Sequence, residues 1–77
     1  MTEFKVNLKS IENVKTFVTA ASLLSCDVDV VEGRYVVDAK SIMGLFSLDL
    51  TQAVTVQVHG DEAQTNAFRN SIVGLLN

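Results

Sequence analysis

The sequence contains no proline, and its 77 residues include one cysteine, Cys26, and one histidine, His59. A single cysteine cannot close an intramolecular disulfide, and a lone cysteine beside apolar neighbours is usually a small buried hydrophobic residue. We therefore predict a fold without a disulfide framework, with Cys26 in the interior.

Long hydrophobic runs are also missing. Residues 28–31 and 48–50 are among the longest, and each run includes an aspartate and falls far short of the roughly 20 residues that a membrane span needs. The first ten residues alternate charged and apolar side chains, unlike the hydrophobic segment of a secretory signal. We therefore expect a cytoplasmic protein with no transmembrane helix and no membrane partner.

Positive charge is scarce and scattered along the chain. Six basic residues against nine acidic ones give a net charge of −3 at pH 7. The basic residues do not form the stripe that a nucleic-acid-binding surface requires. We therefore expect no direct binding to nucleic acid.

Residues that commonly carry catalysis or metal binding are not grouped. No His, Cys and Asp set has metal-ligand spacing, and the four glycines are too dispersed for a phosphate-binding loop. Strand alternation places Asp27 and Asp29 on one face as a solvated pair and projects His59 from an open face. The sequence predicts no catalytic residue, no metal and no cofactor, and a phosphoacceptor or ligand role stays open for His59.

Apolar residues are plentiful enough for one core, since 48% of the chain is hydrophobic and 19% is charged. A chain of this length buries only roughly 60% of the surface that its unfolded form exposes. We therefore expect a single domain over residues 1–77, without a deep active-site cavity.

Hydrophobic periodicity predicts alternating strands and helices. Alternation predicts strands at 4–8, 27–31, 34–39 and 54–59, the second and third joined by a turn at Glu32-Gly33. Ser10 is placed to cap a helix over 11–25, and the last helix follows Gly60. In the first helix the predicted buried stripe consists of Ile11, Val14, Phe17, Val18, Ala21 and Leu24. In the last helix it consists of Phe68, Ile72 and Leu75.

These elements give the order βαββαβα. All three helices can stack on one face of a four-stranded sheet, which makes a two-layer α+β sandwich. The polar side chains of Thr55, Gln57 and His59 then lie on the uncovered face.

The second helix carries more apolar surface than one packed face can bury. Ser41 is its natural N-cap, and on a helical wheel Leu45 and Leu48 fall on one side. The remaining apolar side chains spread over the rest of the circumference and are Ile42, Met43 and Phe46. We expect Met43, Phe46 and part of Ile42 to stay exposed as a partner surface, unless the third helix or the loop at 49–52 covers them.

Ser41 also has the position of a regulatory phosphorylation site. The amides and the positive dipole end at a helix start stabilise added negative charge, and Lys40 supplies a neighbouring cation. A phosphate there would place about −1.5 to −2 charges beside the apolar surface and change which partner can dock.

The segment Lys40–Leu48, KSIMGLFSL, closely resembles the regulatory-serine segment of the HPr family, the small phosphocarriers of the bacterial phosphoenolpyruvate-dependent sugar phosphotransferase system. The resemblance extends over essentially the whole chain. It implies an open-faced sandwich with a four-stranded antiparallel sheet and three helices on one face. It also implies that Ser41 is the serine phosphorylated by the family's kinase, and that Ile42, Met43 and Phe46 form the partner-docking patch.

One family motif is absent. The phosphocarrier histidine, followed by Ala-Arg-Pro, should fall within residues 10–14, where the sequence reads SIENV. The chain is therefore similar to HPr-like regulators that keep the serine and lack the histidine. Its expected partners are HPr kinase and a transcriptional regulator or sugar-system protein. The alternatives are a phosphocarrier that uses His59, or an HPr-like scaffold whose patch is buried against a second copy.

Overall fold

The computed structural model describes residues 2–77 and contains one four-stranded sheet covered by helices. Its elements are β1 (Thr2–Val6), α1 (Ile11–Ser22), β2 (Val28–Glu32), β3 (Tyr35–Asp38), α2 (Ile42–Phe46), β4 (Val54–Val58), α3 (Glu62–Ser71) and a 3₁₀ turn (Val73–Leu75). The strand order is β1-β4-β2-β3, and every neighbouring pair is antiparallel. The predicted α+β sandwich with the order βαββαβα is confirmed.

The core lies between the sheet and the helices. Alternate residues of the two central strands are fully buried, and they are Val28, Val30, Val54, Val56 and Val58. From the helices, Phe17 of α1 and Phe68 of α3 bring their ring centroids to 5.4 Å in an edge-to-face contact. Phe68 also lies 6.1 Å from the ring of Phe4 on β1. These rings therefore join two helices and an edge strand in one cluster.

The β2–β3 hairpin turns one residue later than predicted. Glu32 pairs with Tyr35, so the two turn residues are Gly33 and Arg34 rather than Glu32 and Gly33. Gly33 has φ +60, whereas Arg34 does not have a positive φ. A positive φ at the first of two turn residues alone is typical of a type II′ turn, which favours glycine there.

Helix α1 is shorter than predicted, and its buried stripe is rotated. It ends at Ser22 instead of residue 25, and Ile11 is 64% exposed although it was predicted to be buried. At 100° per residue, Ile11 lies roughly 110° from the centre of the buried side chains, which are Val14, Phe17, Ala20 and Ala21. The wheel therefore explains both the exposure of Ile11 and the burial of Ala20.

The C-terminal segment is not one continuous helix. Asp61 caps α3 through a reciprocal capping box with Gln64, and the helix ends at Ser71. Ile72 and Leu75 are buried as predicted, but Leu75 lies in the 3₁₀ turn. Beyond it, the N–H of Asn7 donates to the Leu75 carbonyl at 2.7 Å, and the N–H of Asn77 donates to the Lys5 carbonyl at 3.1 Å. The chain therefore closes one end of the β1 edge.

Three other sequence predictions have clear outcomes. The first strand was predicted at 4–8 but spans Thr2–Val6, and Leu8 is buried just after it. Cys26, which was predicted to lie in the interior, is only partly buried, although it packs against the core. Within residues 2–77, no helix combines the length and the apolar character needed to cross a membrane.

We predict that Phe68→Ala lowers the free energy of unfolding by about 3–5 kcal/mol, because it removes a buried ring that contacts two others. Urea unfolding measures the change. The matched control is Phe46→Ala, since Phe46 is 46% exposed and its loss should cost less than about 1 kcal/mol. Equal losses in the two variants would contradict the central position of Phe68.

Candidate functional site

The predicted phosphorylation site lies in a short connection between β3 and α2. The N–H of Ser41 donates to the Asp38 carbonyl at 3.0 Å, and the N–H of Lys40 donates to the Asp38 Oδ1 at 2.9 Å. Both bonds turn the chain sharply at the end of the edge strand. Ser41 is therefore held in an extended conformation, φ −104 and ψ 106, immediately before the helix.

Ser41 is the N-cap of α2, as predicted. Its Oγ accepts a hydrogen bond from the N–H of Gly44 at 3.1 Å, which satisfies one of the unpaired amides of the first turn. Gly44 has a steric reason to be glycine, because a Cβ there would lie 3.2 Å from the Ser41 Oγ and 3.4 Å from the Val37 Cβ. The backbone can therefore approach both the cap and the sheet.

Lys40 does not stand free beside Ser41 as the sequence suggested. Its Nζ donates to the carbonyl oxygen of Leu24 at 2.9 Å, just past the end of α1. The ammonium group therefore links the α1–β2 connection to the segment that carries Ser41. Sequence spacing gave no signal for this contact, because the two residues are 16 positions apart.

The apolar residues of α2 divide between the core and the surface as predicted. Leu45 is 0% exposed and Leu48 is 8% exposed, whereas Met43 is 78% exposed and Phe46 is 46% exposed. Ile42 is partly buried and packs against the core. We call Ile42, Met43 and Phe46 the α2 patch. The alternative that α3 or the loop at 49–52 covers Met43 and Phe46 is wrong.

The loop after α2 carries a stabilised carboxylate. The hydroxyl and the backbone N–H of Thr51 both donate to Asp49 Oδ1, at 2.6 Å and 3.1 Å. These two hydrogen bonds lower the pKa of the Asp49 carboxyl below its ordinary value, and the bond from the hydroxyl has the larger effect. A negative charge is therefore maintained three residues beyond Phe46.

His59 is exposed, as predicted, but it has a partner that the sequence did not reveal. Its Nε2 lies 2.9 Å from the Oδ2 of Asp29, across the β2–β4 pair. The same shallow depression is lined by Asp27 and Asp38. Among residues 2–77, no group of three or more His, Cys, Asp or Glu side chains is arranged to hold a metal ion.

His59 and Ser41 belong to different elements but share one neighbour, Asp38, which lines the depression of His59 and accepts the Ser41 N–H. His59 follows β4 on the side of the uncovered face, whereas Ser41 begins α2 on the helical side. The structure therefore places Lys40, Ser41 and the α2 patch in one continuous segment, and Asp38 connects the start of this segment to the depression that contains His59.

Comparisons with known proteins show the family of this chain. The sequence profile of the family described as "PTS HPr component phosphorylation site" matches residues 11–77. This chain belongs to the HPr family. That family comprises the phosphocarriers of the phosphotransferase system. The resemblance at Lys40–Leu48 predicted this membership, which is confirmed.

Solved structures of HPr proteins share the fold. The crystal structure of HPr-C-His from Thermoanaerobacter tengcongensis has a TM-score of 0.78 at 30% identity, covering 96% of this chain and 93% of that one. Phosphocarrier protein HPr from Bacillus anthracis str. Ames has a TM-score of 0.76 at 22% identity, covering 96% and 95%. The histidine-containing phosphocarrier protein of Mycoplasma has a TM-score of 0.75 at 15% identity, covering 99% of each chain. No curated protein matches this sequence at a significant level.

We predict that Ser41→Ala lowers the free energy of unfolding by about 0.5–2 kcal/mol, because the Gly44 amide loses its acceptor. Hydrogen exchange of the Gly44 amide should accelerate in the same variant. The matched control is Ser71→Ala in α3, whose hydroxyl only donates to the Ala67 carbonyl at an exposed site and should change stability little. A Gly44 amide that exchanges at the wild-type rate in Ser41→Ala would refute the capping role.

Proposed function

We propose that this HPr-family protein is a regulatory binding module of the sugar phosphotransferase system. In this proposal a kinase phosphorylates Ser41, and the α2 patch docks the partner. The observation that carries the proposal is the placement of a half-buried cap serine and two exposed apolar side chains, Met43 and Phe46, on one five-residue helix. The protein has no catalytic role of its own, since the phosphoryl donor and the kinase supply the chemistry.

The surroundings of Ser41 support a bound phosphoryl group. Its Oγ already lies within hydrogen-bond distance of the Gly44 amide, and a phosphate oxygen could accept from the same region at the positive end of α2. Lys40 is the adjacent cation, although its amino group now donates to the Leu24 carbonyl. Phosphorylation would therefore add charge directly beside the α2 patch.

A change of charge at this position would alter docking. An apolar patch beside a neutral hydroxyl suits one set of partners, and the same patch beside a dianion favours a partner with an arginine or lysine at the matching place. We propose that the partners are proteins of the cytoplasm: HPr kinase, and a transcriptional regulator or a sugar-system protein.

The alternative of phosphoryl transfer through His59 has weaker support. A phosphoryl-histidine needs a nearby cation, whereas the groups around His59 are the carboxylates of Asp27, Asp29 and Asp38. The segment at residues 10–14, where the family carries its histidine, has Glu12 in the first turn of α1. Both observations favour regulation at Ser41 over a carrier role.

Phosphorylation of Ser41 is tested by intact-mass spectrometry after incubation with ATP and an HPr kinase. We expect one phosphate on the wild type and none on Ser41→Ala. The matched control is Ser47→Ala, because Ser47 is an exposed serine at the other end of the same helix and its removal should leave one phosphate in place. Absence of phosphate on the wild type, or a phosphorylated Ser41→Ala, would overturn the proposal.

Docking on the α2 patch is tested by kinase kinetics. We expect Met43→Ser to lower kcat/KM for phosphorylation roughly tenfold, because an exposed apolar anchor is lost while the cap serine stays in place. The control is Val73→Ser, since Val73 is 69% exposed on the 3₁₀ turn and should not affect the rate. Circular dichroism should be unchanged in both variants. Equal rates for wild type and Met43→Ser would remove the patch from kinase recognition.

A further inference from the structure

The two edges of the sheet differ in whether other parts of the chain cover them. β1 and β3 are the outer strands, and one end of β1 is covered by the hydrogen bonds that residues 75–77 make with Lys5 and Asn7. Among residues 2–77, no segment pairs with the outer side of β3. Such an edge offers unpaired backbone groups to another strand.

The backbone groups that point outward from β3 follow from its pairing. The N–H of Ala39 donates to the Val28 carbonyl at 2.9 Å, toward β2. Along an antiparallel strand, the backbone N–H and C=O groups of successive residues point alternately to the two sides. Those of Tyr35 and Val37 therefore also bond to β2, whereas those of Val36 and Asp38 point away from it. The Asp38 carbonyl is already an acceptor for Ser41, which leaves the Asp38 N–H and both groups of Val36 available.

Of the features that usually prevent pairing, β3 has its short length and the charged Asp38, but it lacks the others. β3 contains no lysine, no proline and no bulge, and its Tyr35 and Val36 side chains are 63% and 60% exposed. By alternation, Val36 lies on the uncovered face of the sheet, and Tyr35 lies on the helical face next to the partly buried Val37.

We propose that the outer edge of β3 pairs with β3 of a second copy of this chain. The two strands run antiparallel around a two-fold axis at Val36, and the two sheets become one eight-stranded sheet. The Val36 N–H of each copy donates to the Val36 carbonyl of the other. The two sets of exposed apolar side chains then lie opposite each other, with Tyr35 facing Val37 on the helical side.

Charge complementarity selects this register. With Val36 opposite Val36, Arg34 of each copy lies opposite Asp38 of the other on the same sheet face, so the interface gains two opposite-charge pairs. A shift by two residues places Arg34 or Asp38 opposite Val36 and loses both pairs. A shift by one residue places the outward-pointing backbone groups of one β3 opposite residues of the other whose backbone groups point toward β2. The two strands then form no regular set of inter-chain hydrogen bonds.

The dimer is small and therefore weak. A four-residue strand forms few inter-chain hydrogen bonds, and small interfaces belong to weak, transient complexes. We therefore expect a dissociation constant on the order of 0.1–1 mM. Ser41 borders one end of this edge, because its N–H donates to the Asp38 carbonyl, but the pairing uses neither the Ser41 hydroxyl nor the α2 patch. Dimerisation is therefore tested on the unphosphorylated protein, and its failure would leave phosphorylation of Ser41 untouched.

Sedimentation equilibrium from about 20 µM to about 2 mM spans the association range expected for such an interface. We expect the weight-average mass of the wild type to rise from 8.4 kDa toward twice that value. Val36→Lys sets two lysines opposite each other and should lower the association constant at least about tenfold. The control is Val73→Lys, which adds the same charge to another exposed valine, on the 3₁₀ turn, and should dimerise like the wild type.

A charge exchange tests the register. Arg34→Asp and Asp38→Arg should each associate more weakly than the wild type, because each sets like charges opposite each other. An equimolar mixture of the two should associate again, since every opposed pair is then of opposite sign. Because Asp38→Arg also removes the Asp38 bond to the Lys40 amide, its fold is checked first by circular dichroism.

A second readout does not depend on any variant. In the wild type, hydrogen exchange of the Val36 and Asp38 amides should slow as the concentration rises, while that of the Val73 amide, which lies outside the proposed interface, should not. A wild type that stays monomeric at about 2 mM overturns the proposal. So does a dimer that survives Val36→Lys but is lost in Met43→Ser, since that result places the interface on the α2 patch.

Discussion

The contact between Phe17 and Phe68 is the interaction on which the arrangement of the helices depends. It joins α1 and α3 over one face of the sheet, where the buried valines of the two central strands complete the core. A chain of 77 residues supplies enough apolar surface to cover only one face of the sheet. The opposite face is therefore left to polar residues such as Gln57 and His59. Helix α2 has to fit on the covered face beside α1 and α3.

The small size of α2 explains why the candidate site lies there. Five residues can bury one side, which Leu45 occupies with help from Leu48 after the helix end. Met43 and Phe46 consequently remain at the surface, directly after the cap formed by Ser41. Stability and the recognition that we propose thus use opposite sides of the same turn of helix, and the close approach of Gly44 to Val37 fixes that turn on the sheet.

Local patterns were sufficient to predict most of this architecture. Valines at period two located the strands, and Ser10 and Ser41 marked helix starts, because both signals act within a few residues. The errors arose where distant residues decide the outcome. The exposure of Ile11 depends on which side of α1 meets the sheet, and the break after Ser71 depends on how the last residues reach β1. The contacts of Lys40 with Leu24 and of His59 with Asp29 are likewise invisible without the fold.

The covering of β1 by the C-terminal residues has a consequence for the order of folding. β1 pairs with β4 on one side, and its other side meets residues about 70 positions away, as in the bond from the Asn77 N–H to the Lys5 carbonyl. Contacts of such separation close slowly, because the intervening chain loses its conformational freedom before they form. During synthesis, Phe4 and Val6 therefore emerge long before their neighbours and stay exposed to water until β4 has left the ribosome. The hairpin of β2 and β3, whose partners are a few residues apart, can form in the meantime.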